Sequence, residues 1–117
     1  MDEQQKKKEE SQRVSKIKKM LLESPDDCFL LHALGLEYIK GGDLGQAINS
    51  FNKVLTVDEN YVGTYYHLAH ALWSAQDKGA ADVFKKGMEV ARTLKDHHSL
   101  SELSTAYDEY QEELDEY

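Results

Sequence analysis

Apolar side chains return every three or four positions along almost the whole chain, and no stretch alternates apolar and polar with a period of two. The first pattern lays a stripe along one side of a helix; the second would mark a half-buried strand. The pattern predicts an all-α chain of about six helices. Val14, Ile17, Met20 and Leu21 form the first stripe. It stops at Ser24-Pro25, because a proline ring disfavours helical geometry in the residue before it. Asp26 or Asp27 can cap a second helix, a short carboxylate accepting from unpaired N–H groups. Leu31, Leu34, Gly35 and Tyr38 line its inner face, and Gly41-Gly42 ends it. Asp43 opens a third helix with Leu44, Ala47, Ile48, Phe51, Val54 and Leu55 on one side, and Asp58-Glu59-Asn60 breaks it. A fourth runs from about Tyr61 to Ser74 with Tyr65, Leu68, Ala69 and Leu72 inward. A turn at Gln76 to Gly79 leads to a fifth with Ala80, Phe84, Met88 and Ala91 inward. A sixth, from Ser99 through Leu114, holds Leu100, Leu103 and Tyr107.

Charge divides the chain differently. Residues 1–23 carry a net +2, residues 24–98 a net −3, and residues 99–117 seven acidic side chains with no basic one. The overall charge of −8 repels phosphate backbones, so nucleic acid is not an expected partner. No apolar run approaches the roughly 20 residues that span a bilayer, and MDEQQKKKEE has no apolar core of a signal peptide, so no membrane partner is expected. The lone cysteine, Cys28, excludes an internal disulfide and a cysteine-built zinc cage. A reduced, cytoplasmic setting is the expectation.

The stripes also repeat. Leu34, Gly35 and Tyr38 recur 34 residues later as Leu68, Ala69 and Leu72, and Ala47, Phe51 and Leu55 recur 33 residues later as Ala80, Phe84 and Met88. The one-residue difference falls in the turn between paired helices, where a deletion is tolerated. Stacked helix pairs give periods of this kind. With these residues in register, the sequence resembles the tetratricopeptide repeat (TPR) family. The first unit shows Leu34-Gly35, Tyr38, Ala47, Phe51 and Val54-Leu55, and the second keeps Leu68, Ala69, Leu72, Ala80, Phe84, Gly87 and Met88. The family's early tryptophan is Leu31 in one unit and Tyr65 in the other, and Glu59 stands where a closing proline would be. The resemblance implies a right-handed helix-turn-helix solenoid. A flexible charged segment over residues 1–9 precedes one domain over residues 10–114. That domain comprises a half-unit helix at 10–24, repeats at 27–60 and 61–94, and a capping helix at 98–114, with an acidic tail at 115–117.

The resemblance further implies a groove lined by the first helix of each pair, which binds a partner's extended peptide or helix. Projected onto this chain, the lining is Phe29, His32, Leu36 and Ile39 from the first unit and Tyr66, His70 and Trp73 from the second. The terminal helix adds Ser101, Thr105 and Asp108. Aromatic anchors in a concavity suit peptide recognition. The same apolar residues can instead pack against a neighbouring terminal helix, and Trp73 needs either another chain or the last helix to be covered. The carboxylate clamp by which some family members grip acidic tails is missing: His32, Leu36 and His67 occupy its positions, and leucine donates no hydrogen bond. His67 and His70 sit at i, i+3, but no cysteine or carboxylate completes a ligand set in that helix, so neither a metal nor a cofactor is expected. GGDLG at residues 41–45 lacks the Lys-Ser/Thr of a phosphate loop, and nothing orders a nucleophile, base and orienter. The expectation is a non-enzymatic adaptor. The alternatives are a self-associating module whose groove a terminal helix fills, forming a weak homo-oligomer, and a chaperone-like holder of an apolar helix. The acidic tail reads as a solvated helix face that fades into disorder, and the sharper alternative is that Tyr110, Leu114 and Tyr117 dock on another chain or on the basic segment Lys6 to Lys19.

Overall fold

The computed structural model describes residues 3–116, with side chains from residue 12 onward. Among the described residues there are six helices and no strand: α1 Glu3–Glu23, α2 Cys28–Lys40, α3 Leu44–Val57, α4 Gly63–Ser74, α5 Ala80–Thr93 and α6 His97–Asp115. They group into two compact units, Met1–Glu59 and Asn60–Tyr117. Met1, Asp2 and Tyr117, and with them the docking expected of Tyr117, lie outside the described residues.

In the first unit, α2 packs against both α1 and α3. Asp27 caps α2 by accepting from the Leu30 N–H at 3.1 Å, and Asp43 caps α3 through the Gln46 N–H at 3.2 Å. Leu31, Leu34, Ala47, Phe51 and Val54 form the buried core. Phe51 is accommodated because Gly35 has no side chain; a Cβ there would run into the phenyl ring. One boundary differs from the sequence expectation. The helix α1 begins at Glu3, inside the segment 1–9 expected to be flexible, since Gln, Lys and Glu are all good helix formers and nothing in that run breaks a helix. Met20, placed on the inner stripe by its spacing, is half exposed.

In the second unit, α4 packs on α5, α5 on α6, and α6 reaches back to α4. Tyr65, Leu68, Ala69, Leu72, Ala80, Phe84, Val90, Ala91, Leu103, Ala106 and Tyr110 are buried, and Phe84 is wholly enclosed. The inward row of α6 is therefore Leu103, Ala106 and Tyr110, with Leu100 and Tyr107 half-buried beside it. Tyr110, expected to dock on another chain or on the basic segment, is 6% exposed. It is an inner residue of this unit, because the 3,4 spacing from Leu103 through Ala106 carries it onto the core face. Leu114, one turn further, remains exposed.

Candidate functional site

On α4, the side chains of Tyr66, His70 and Trp73 lie in a row set by their 4,3 spacing. The Tyr66 and His70 ring centroids are 4.4 Å apart, and His70 stacks on Trp73 at 5.5 Å with 28° between planes. From below, Phe84 of α5 meets His70 edge-on at 5.9 Å and Trp73 at 6.4 Å. From α6, Tyr110 meets Trp73 edge-on at 5.3 Å, and the Trp73 indole Nε1–H donates to the Glu113 carboxylate. Phe84 also stacks against Tyr107 at 5.8 Å and tilts against Tyr110 at 5.6 Å. Of the two covers that the position of Trp73 requires, the structure supplies the last helix.

Two concavities flank this row. One, of about 860 Å³, lies between the C-terminal end of α4, the α4–α5 turn and the end of α6; it is lined by His70, Trp73, Ser74, Gln76, Asp77, Lys78, Glu109, Tyr110, Glu113 and Leu114. The other, of about 290 Å³, is lined by Tyr66, His98, Ser101, Glu102, Thr105, Ala106 and Glu109. Ser101 and Thr105 line the smaller concavity, whereas Asp108 lines neither. Glu109 and Glu113 were not among the expected site residues, and Tyr110 was expected to dock elsewhere and not to line this cleft. The signal for them is the Leu103, Ala106, Tyr110, Glu113 row on α6, partly hidden by the small side chain of Ala106 and the density of acids around it.

The electrostatics of this face favour neutral imidazoles. Burial holds His70 below the ordinary histidine pKa against the opposing pull of Glu109, and its Nε2 is enclosed without a hydrogen-bond partner. Burial, then the neighbouring His70, lowers His67 as well, with Glu102 opposing. A pair of neutral imidazoles is not by itself a metal site, and among the described residues no group of three or more His, Cys, Asp or Glu side chains is disposed to hold an ion.

On α2 of the first unit, the expected site residues divide. Phe29 is 71% exposed and Ile39 37% exposed, so both are available at the surface. His32 is half-buried with its ring 5.5 Å from Phe51, and Leu36 is half-buried too, so these two join the packing beneath. Cys28 points its thiol at the Val54 carbonyl, 3.8 Å away; burial, then the carboxylates of Asp58, Asp27 and Asp26, push its pKa up. A protonated thiol is a poor nucleophile. Among the described residues no helix is long and apolar enough to cross a membrane.

Comparison with known proteins follows the same lines. A family model described as TPR repeat matches residues 35–76. A tetratricopeptide repeat domain protein from Salinibacter ruber, solved by crystallography, is 34% identical over 73% of this chain and 96% of its own, with a TM-score of 0.67. The TPR2B domain of yeast Sti1, solved as a complex with pHsp70, superposes with a TM-score of 0.82 at 18% identity, covering 92% of this chain and 87% of that one. The Yersinia enterocolitica type III secretion translocator chaperone SycD superposes with a TM-score of 0.81 at 13% identity, covering 96% and 79%. The last two share the fold. No curated protein sequence matches this chain.

Proposed function

The chain belongs to the tetratricopeptide repeat family, whose members generally mediate protein–protein interaction without catalysis, and on that premise we propose that it is an adaptor binding a peptide or helix of a partner protein. The contacts proposed are Tyr66, His70 and Trp73 on α4, with Phe29 and Ile39 on α2 offering a second surface above the half-buried His32 and Leu36. The observation that carries this reading is the aromatic row of α4 beside an 860 Å³ concavity. Large rigid rings at the wall of a cleft bury area against a ligand at small cost in side-chain entropy. The complex of the Sti1 domain with pHsp70 supports a polypeptide ligand for this fold, and the SycD chaperone supports the holding of a partner chain. Tails gripped by a carboxylate clamp are not the proposed ligand, since Leu36 offers no donor. The reading includes a cytoplasmic setting, which the single cysteine suits.

A second reading has one observation in its favour. Tyr110 and Glu113 of α6 already occupy Trp73, as they would in a self-associating module whose recognition face is filled by a terminal helix. Affinity capture from lysate separates the two. The comparison sets wild type against Tyr66→Ala/Trp73→Ala and Phe29→Ala/Ile39→Ala variants whose helicity and melting are verified. An adaptor retains a distinct protein that a folded variant loses. Capture of copies of itself alone, together with concentration-dependent sedimentation, supports self-association instead.

A further inference from the structure

We propose that the 860 Å³ cleft of the second unit selects a basic peptide segment, one carrying lysine or arginine next to an apolar side chain. This deepens the interaction reading above and rests on it. The cleft has a floor and a rim of different character. Trp73 and Tyr110 supply aromatic surface, and Leu114, 55% exposed, extends it toward solvent. An apolar side chain of the ligand gains by covering that surface.

Charge then chooses among apolar ligands. Asp77, Glu109 and Glu113 line the cleft against a single lysine, Lys78, while burial keeps the imidazole of His70 neutral. Among the described residues none of these three carboxylates is in a salt bridge; the lysine–carboxylate pairs are Lys40–Glu37 and Lys86–Glu89, and His98 Nε2 lies 3.1 Å from Glu102. Glu113 spends one oxygen on the Trp73 indole and keeps the other. The helix that forms this wall carries six acids and no lysine or arginine from Ser99 to Asp115. An acidic ligand meets net repulsion from a lining of three carboxylates against one lysine. A basic one is steered in, and its cation finds carboxylates and an indole ring together.

The test uses the full chain and two labelled peptides of equal length, one alternating lysine with leucine and the other glutamate with leucine, followed by fluorescence anisotropy. The lysine peptide is expected to bind, with affinity falling as salt rises, and the glutamate peptide is expected not to. The exposed substitution Glu109→Lys, which disturbs no packed side chain, is expected to weaken lysine-peptide binding about tenfold. Equal binding of the two peptides overturns the charge selection while leaving the aromatic face as a docking surface. Failure of both to bind, in a protein that still captures a partner through Tyr66 and Trp73, overturns the basic ligand but not the adaptor. Lysine-peptide binding unchanged by Glu109→Lys places the peptide elsewhere and also overturns it.

Discussion

The two units are built on one repeat and solve its packing in opposite ways. In the first, Leu31 and Val54 are core residues, and the close approach falls at Gly35, beneath the Phe51 ring. In the second, the positions equivalent to Leu31 and Val54 are Tyr65 and Gly87. A Cβ at Gly87 would lie 2.6 Å from the Tyr65 Cβ and 3.1 Å from a Leu103 methyl. The large residue has grown on one helix and the facing one has lost its side chain, so volume is kept while its distribution changes. The outer rows differ too. Ile39 is exposed on α2, whereas its equivalent, Trp73, is held by Tyr110 and Glu113 of α6. A repeat therefore fixes the framework, and the residue facing each helix decides which surface is left to bind.

The largest effects should come from the two enclosed phenyl rings. Phe51→Ala and Phe84→Ala are each expected to cost about 3–5 kcal/mol in urea unfolding. They should differ in one respect. Loss of Phe84, which touches His70, Trp73, Tyr107 and Tyr110, should shift the fluorescence of the single tryptophan in any protein that remains folded. Loss of Phe51 should leave it alone.

The volume exchange predicts a smaller, sign-dependent effect. Gly87→Ala gains up to about 1 kcal/mol in helix propensity, but the Tyr65 Cβ is fixed to its backbone and cannot yield, so a net loss of about 1–2 kcal/mol is expected. The cost of Gly87→Ala should be smaller in a Tyr65→Gly background, which removes the facing Cβ, than in the wild type. Additive costs in that double-mutant cycle would show that the two positions do not compensate.

The turns offer a third contrast. Gly42 ends α2 with φ +79°, and its equivalent after α4 is Gln76 with φ 58°. Both precede the same backbone bond, Asp43 N–H to the Tyr38 carbonyl and Asp77 N–H to the Leu72 carbonyl. A side chain in this left-handed geometry costs about 1 kcal/mol, so Gln76→Gly should raise and Gly42→Ala lower the melting point by comparable amounts. Space is not at issue at Gly42, where an added Cβ meets nothing within 4 Å.

The smallest effect is a pH dependence confined to the second unit. His67 and His70 fold with lowered pKa values, so the unfolded chain binds protons that the folded one refuses. Their contribution is fully present above the ordinary histidine pKa of about 6.5 and is lost as pH falls below it. Replacing both by glutamine should flatten the loss of stability between about pH 7 and pH 5.5. An unchanged slope would mean that other groups carry it.

Much of this was legible in the chain. Pro25 and Gly41-Gly42 mark the ends of α1 and α2, and the 34- and 33-residue offsets give the pairing, because periodicity and backbone exceptions are local properties. The start of α4 was less clear: its cap position is Val62, in helical geometry with no side-chain cap, so no Asp or Ser announces it. The cover over Trp73 was narrowed to two candidates and not decided, since the indole bond to Glu113 joins residues 40 apart. Tyr110 was misplaced because a tyrosine among acids reads as surface until the facing helix is known. His32 fits the groove pattern by number, yet its ring lies against the core phenyl.

The central claim, that a partner binds the α4–α6 surface of the second unit, is most directly tested at the Trp73 indole. The measurement is a two-dimensional NMR titration of the isotope-labelled protein with the minimal binding segment of the captured partner. The account predicts that the single indole N–H resonance moves and saturates together with amides of α4 and the end of α6 as Glu113 and the ligand compete for it. Saturated binding that leaves this resonance in place, with shifts gathered on α5 or α3, would contradict it.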